Sequence, residues 1–152
     1  MLEKFRNSSR SEDNVAVFVD GPNVVRKEFD LDFDELREEV SEFGKIKVSK
    51  VFLNQYASPK LIEAIMSQGF EADQGLGGEK DKESDVDVYM ASEAMESIFD
   101  ENIDTIILVT RDTDFLPIIQ KAKKHGKDTV IMGMEPGFST SIKNAADHVK
   151  EL

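Results

Sequence analysis

Thr105-Ile106-Ile107-Leu108-Val109-Thr110-Arg111-Asp112-Thr113-Asp114-Phe115 is the stretch on which the fold turns. Thr105 to Val109 is an unbroken β-branched and aliphatic run, with the length and composition of a buried strand. Two acids one residue apart, Asp112 and Asp114, follow its end. A second apolar run, Phe115 to Ile119, comes next and passes into Lys121, Lys123 and Lys124 at helical spacing. The order is strand, acidic turn, helix. In open α/β sheets chemistry collects at such turns, beyond the carboxyl ends of the strands. Taken alone, Asp112 as a helix cap and Asp114 as an acid favoured by the helix dipole explain the pair equally well.

The same alternation recurs along the chain. Val15 to Val19 reads as a first strand running straight into the turn Asp20-Gly21-Pro22-Asn23. Asp32 and Asp34 precede a helix expected over Glu35 to Phe43 and closed by Gly44. Ile46 to Asn54 is the second strand. Ser58-Pro59 opens a helix that Gly69 ends, and Phe70 to Ala72 is a short third strand. Asp73 to Lys82, with three glycines, reads as an exposed, mobile loop. A helix from Ser84 to Phe99, the Thr105 strand, a helix to about His125 and a strand over Thr129 to Met132 follow. Ser139 starts a last helical piece, with a strand or turn near Val149.

Strands alternating with helices at this spacing predict one α/β domain, a three-layer α/β/α arrangement on a mostly parallel, doubly wound sheet. The domain is expected over residues 15–152, after a polar segment, residues 1–14, expected to fray. A strand order of 3-2-1-4-5, or a close relative, sets the strand ending at Asp20 beside the strand ending at Asp112. The switch point then lies between two acidic turns.

The 152 residues suffice for one domain with a real core. There is no cysteine, which excludes a disulfide framework and a thiolate metal site and suits a reducing cytoplasm. No apolar run approaches the ~18 residues that span a membrane. The net charge of −12 argues against holding nucleic acid by blanket phosphate neutralisation. It suits a cation site, although solubility accounts for most of the excess.

The helix from Ser84 adds a further acid. At about 100° per residue, Asp87 aligns with Met90, Ala91, Ala94 and Ile98, flanked by Val88, Met95 and Phe99. An acid on the face that packs against the sheet is costly unless it is paired or binds a metal. Asp85 points roughly opposite, and Glu93 lies on the shoulder, as an outer-shell or merely exposed acid. Asp20, Asp87, Asp112 and Asp114 are thus expected to converge from three segments. Carboxylates crowded in one cleft repel and call for a cation, and all-oxygen ligation suits Mg²⁺ or Mn²⁺ rather than zinc.

With these residues assembled, the chain resembles the NYN domains of the PIN-like metal-dependent ribonuclease superfamily. The resemblance runs from Val15 to about Leu152. It rests on Val17-Phe18-Val19-Asp20-Gly21-Pro22-Asn23, on Asp87-Val88-x-Met90-Ala91-x-Glu93 and on Val109-Thr110-Arg111-Asp112-Thr113-Asp114-Phe115. The closing Ser139-x-x-Ile142-x-x-x-Ala146-Asp147 also fits. The resemblance implies a PIN-like fold, RNA as substrate, and a Mg²⁺ or Mn²⁺ site at Asp20, Asp87, Asp112 and Asp114, with Asn23 and Thr110 beside it.

Two departures stand out. The family often has Ser-Gly before the Asp112 position, where this chain has Thr110-Arg111. Arg111 is either a phosphate clamp or the partner of a surface acid. A family lysine usually stands three residues before the Asp87 position. Ser84 is there instead, with Lys82 two further back; either Lys82 substitutes from the loop, or Asp85 shares the role given to Asp87.

Other signals are weaker. Asp30, Asp32 and Asp34 open like a calcium loop, but Glu35 stands where glycine is required and Ser41 where the closing glutamate is. Lys121, Lys123, Lys124, His125 and Lys127 complement a helix end or guide a phosphate backbone, with Lys45, Lys47 and Lys50 extending the track. A phosphatase or phosphotransferase would carry a second acid in Asp20-Gly21-Pro22, which is absent. A non-catalytic module binding a cation or a basic partner is the other rival, and a homo-oligomer is left open.

Overall fold

The structure is a computed structural model that describes residues 12–74 and 83–152, with side chains described at 12–74 and 86–152. Most of the N-terminal segment, residues 75–82 with Lys82, and the Asp85 side chain lie outside these residues.

Six strands form one sheet: β1 (Asn14–Asp20), β2 (Lys45–Leu53), β3 (Glu71–Gln74), β4 (Thr105–Val109), β5 (Asp128–Gly133) and β6 (His148–Glu151). Their order is β3-β2-β1-β4-β5-β6, and every neighbouring pair is parallel. The expected order therefore holds, and β6 extends it by one strand. Between them run α1 (Gly21–Val24), α2 (Phe33–Ser41), α3 (Pro59–Ser67), α4 (Glu83–Ile98), α5 (Leu116–Lys124) and α6 (Thr140–Ala145).

The central strands are apolar throughout because both faces are covered. Alternate residues of β1 and β4 feed two cores. Ala16, Phe18, Ile106 and Leu108 pack with Met90 and Ala94 of α4, Ile119 of α5 and Ile142 of α6. Val15, Val17, Val19, Ile107 and Val109 pack with Leu36 and Val40 of α2 and Ile65 of α3. The chain winds outward from β1 to β3, returns through α4, and winds outward again from β4 to β6. The switch point lies between β1 and β4, whose residues pair from Val15↔Thr105 to Val19↔Val109.

Local differences from expectation have local causes. β1 begins at Asn14, inside the segment expected to fray. Its N–H donates to Asp104 Oδ2 and its side chain to the Asn102 carbonyl, both at 2.8 Å. α2 starts two residues early because Asp32 is the cap, its Oδ1 accepting from the Asp34 N–H at 2.9 Å. The Gly21-Pro22 turn is a single helical turn, with the Val25 N–H bonded to the Gly21 carbonyl at 2.8 Å. Gly21 is required there: a Cβ would lie 2.1 Å from the Phe52 carbonyl oxygen. The chain leaving β1 thus hugs β2, which keeps Asp20 at the sheet edge.

Candidate metal centre

Asp20 is the last residue of β1 and only 2% exposed. Thr110, fully buried just past β4, donates its hydroxyl to Asp20 Oδ2 at 3.0 Å. The Asp112 N–H donates back to that Thr110 hydroxyl at 3.2 Å. Thr110 therefore fastens the two acidic turns across the β1–β4 seam. Asn23 Oδ1 accepts from the Arg111 N–H at 2.7 Å and lies 3.5 Å from the Thr110 hydroxyl. An amide oriented this way has its Nδ2 left as a donor.

Asp112 caps a one-turn 3-10 helix, Thr113–Phe115, its Oδ1 accepting from the Asp114 N–H at 2.9 Å. Asp87 is half-buried on α4, which crosses from β3 back to β4 over the switch point. Asp20, Asp87 and Asp112 each offer one carboxylate oxygen, and these oxygens all lie within 4.8 Å of one another. Like charges that close repel by roughly 3 kcal/mol per pair at an effective dielectric near 20. A divalent ion with ~2.1 Å bonds holds its oxygens ~3 Å apart when adjacent and ~4.2 Å when opposite. Oxygens that all lie within 4.8 Å of one another are compatible with that spacing, and an all-carboxylate set suits a hard cation. The residues fit a hard divalent cation.

The other expected site residues fall out differently. Asp114 is exposed and stands outside the three-acid group. Among the described residues, Arg111 meets no surface acid. Its Nε and Nη2 donate to the Asn23 carbonyl at 3.3 and 3.1 Å, and its Nη1 donates to the Pro136 carbonyl at 2.6 Å. Its guanidinium carbon lies 4.5 Å from the Phe29 ring centre.

Glu93 accepts from Lys50 Nζ at 2.9 Å, away from the three acids, and Lys50 also lies 3.9 Å from Glu71 and 4.0 Å from Asp73. The Glu93 hydrogen bond, against the pull of burial, raises the Lys50 pKa above its ordinary value. The same bond from Lys50, again against burial, lowers that of Glu93. Lys82 and the Asp85 side chain lie outside the described residues, so Asp87 is the acid of α4 that the described side chains bring to Asp20 and Asp112.

Three of the lysines of the expected track have partners of their own. α5 ends at the edge of the sheet opposite the acids. There Lys127 donates to the carbonyls of Asp100 and Ile103, and Lys123 donates to the Ala145 carbonyl at 3.0 Å. Lys50 is committed to Glu93. One signal for that was available: Lys50 shares the alternation of Val48 and Phe52, which face the α4 core.

The NYN domain family model matches residues 14–152. An uncharacterized protein of Methanocaldococcus jannaschii is 54% identical over 152 residues, covering 100% of this chain and 60% of that protein. The chain therefore spans about 60% of that relative's length. The crystal structure of a protein of unknown function from Vibrio parahaemolyticus superposes with a TM-score of 0.79 at 19% identity, over 92% of this chain and 93% of that one. At that identity the likeness speaks for the fold alone. The family match begins at the first residue of β1 and runs past the end of β6, so none of the sheet falls outside it, and the chain belongs to the NYN domain family.

Proposed function

We propose that this chain is a divalent-metal-dependent ribonuclease that hydrolyses RNA phosphodiester bonds at the C-terminal edge of its sheet. NYN domains are in general metal-using ribonucleases. The observation that carries the reading is the meeting of Asp20, Asp87 and Asp112, from three separate elements, with oxygens within 4.8 Å of one another. Repelling acids gathered at a switch point are costly to the apo fold and suited to an ion.

We assign the ion, Mg²⁺ or Mn²⁺, to Asp20, Asp87 and Asp112. When bound there, it supplies charge that offsets the phosphate oxygens and makes water more acidic. Thr110 holds Asp20 by its hydroxyl and Asp112 by accepting its N–H, keeping both turns in register as a substrate enters. Asn23 Nδ2 serves as a donor to the substrate. Asp114, the fourth acid, stands in solvent at the mouth, where it holds water that reaches the ion or accepts a proton from the attacking water. Lys82 stays in the proposal as a phosphate contact from the segment before α4. Asp85 and Glu93 are kept outside the ligand set, Glu93 because Lys50 holds it. A cysteine-free chain is at home in the cytoplasm.

The test is incubation of the purified protein with single-stranded RNA in Mg²⁺, in Mn²⁺ and in EDTA. Cleavage with either ion, absent in EDTA and absent in Asp112→Asn, is the expected result. Binding of Mn²⁺ without cleavage of any RNA would leave a non-catalytic cation site. Formation of a phosphoryl-aspartate from a small phosphoester would make the chain a phosphotransferase.

A further inference from the structure

Arg111 stands between Thr110, which bridges the two acidic turns, and Asp112, which is one of the acids. We propose that Arg111 is a positioning residue that fixes the gap between the Asp20 turn and the Asp112 turn through Asn23, and that it does not contact the phosphate. The proposal rests on the metal-site reading above.

Arg111 grips Asn23 twice. Its backbone N–H donates to Asn23 Oδ1 at 2.7 Å, and its side chain returns to the Asn23 carbonyl through Nε at 3.3 Å and Nη2 at 3.1 Å. The same guanidinium reaches the turn after β5 through Nη1 and the Pro136 carbonyl. The Arg111 carbonyl accepts from the Ser139 N–H at 3.2 Å. Three turns, those after β1, β4 and β5, are therefore joined at one residue.

The seat for the guanidinium is built. Phe29 covers one face, with 4.5 Å between guanidinium carbon and ring centre. Gly137 has no side chain on the other approach; a Cβ there would lie 2.9 Å from Nη1. At least three of the five guanidinium N–H groups are directed at carbonyls. A phosphate clamp would need a paired fork turned outward instead.

This grip matters because α1 is a single turn with no side-chain cap at its start. Asp20 is its N-cap residue and Asn23 lies near its other end. Holding Asn23 holds the turn, and the turn carries Asp20 toward Thr110 and Asp112. Lysine cannot substitute, because one ammonium neither forks to two carbonyls nor stacks flat on a ring.

The experiment compares wild type, Arg111→Ala, Arg111→Lys and Phe29→Leu by Mn²⁺ titration calorimetry, thermal melting and RNA cleavage at saturating metal. Arg111→Ala should weaken Mn²⁺ affinity about tenfold or more, as when a group that orients a metal ligand is lost. Arg111→Lys should regain little. About 20 mM guanidinium ion should restore a good part of the Arg111→Ala loss, since it can occupy the vacated fork. Phe29→Leu keeps the arginine and should give a smaller loss in the same direction, so the idea stays testable should Arg111→Ala not fold. KM for RNA at saturating metal should stay within about threefold of wild type.

Three results would overturn the proposal. Folded variants with unchanged Mn²⁺ affinity and a raised KM would make Arg111 a phosphate contact. A lowered melting temperature with unchanged Mn²⁺ affinity and kinetics would make it structural only. Failure of the wild type itself to bind Mn²⁺ would remove the metal-site reading and this proposal with it.

Discussion

Asp20→Asn is close to isosteric and keeps an oxygen for the Thr110 hydroxyl, while removing one charge from a crowded set. The same holds for Asp112→Asn, whose side-chain oxygen can still cap the turn. Each variant should abolish metal-dependent cleavage, with apo melting temperatures unchanged or slightly raised as repulsion is relieved. Mg²⁺ at ~100 times its Kd should stabilise the wild type by about 2.7 kcal/mol and Asp20→Asn by far less. Equal shifts in melting temperature would mean general screening of the acidic surface. Asp87→Ala should remove Mn²⁺ binding, whereas Asp85→Ala should keep most of it; calorimetry giving the reverse order would assign the ligand to Asp85. All three clustering acids were legible in the sequence: Asp20 and Asp112 follow the ends of apolar strands, and Asp87 is an acid set among the apolar residues of a helix. The destinations of the long cations were not. Arg111 and Lys50 reach groups 25 to 88 positions away in sequence, which no local pattern encodes.

At the scale of the element, α4 carries the most informative difference. The helical projection puts Val88 and Phe99 at the flanks of its inner face, yet Val88 is 70% and Phe99 60% exposed. Val86, Met90, Ala94 and Ile98 are buried, with Ser97 among them. The face is turned toward Val86, which leaves Asp87 on its flank rather than at its centre. Hydrophobicity alone misjudges the turn because Ser97, a small hydroxyl residue, is buried while the apolar Val88 and Phe99 are not. Lys50–Glu93 guards the opposite flank, with side chains 22% and 18% exposed, so solvent screens the pair only in part. Glu93→Gln should cost about 1–2 kcal/mol, since a partly buried ammonium loses its best partner. The pH dependence follows from the directions of the two shifts. The lowered Glu93 pKa gives stability that is full above the ordinary glutamate value and lost as pH falls through the folded value. The raised Lys50 pKa gives stability that is full below the ordinary lysine value and lost as pH rises through the folded one. Melting curves of wild type and Glu93→Gln should therefore differ by a constant amount from about pH 5 to pH 9 and converge in stronger acid. A difference that grows below pH 4 would remove the pair from its assigned role.

For the molecule as a whole, the sheet order was legible because strands buried on both faces read as continuous apolar runs, and the switch followed from alternating strands and helices. The sixth strand was less so. His148–Glu151 is a short edge strand of alternating exposure, and its placement depends on pairing with β5 from Val130↔His148 onward. The net charge of −12 sets the last prediction, because it restricts how RNA can be held. Among the described cations, Arg26 pairs with Glu28 at 2.7 Å and Lys143 with Glu135 at 3.7 Å, while Arg111 donates to backbone carbonyls. The acidic balance of the chain leaves a strand of RNA few counterions to displace. Single-stranded binding loses affinity with a log–log salt slope of about −0.7 for each phosphate neutralised. With two or three phosphates met by the metal and a few cations, the slope should be no steeper than about −2. The measurement is the Kd of a non-hydrolysable single-stranded RNA across a KCl series at fixed free Mg²⁺. A slope steeper than about −5 would require seven or so neutralised phosphates, and so an extended basic track. It would move RNA recognition away from this sheet edge.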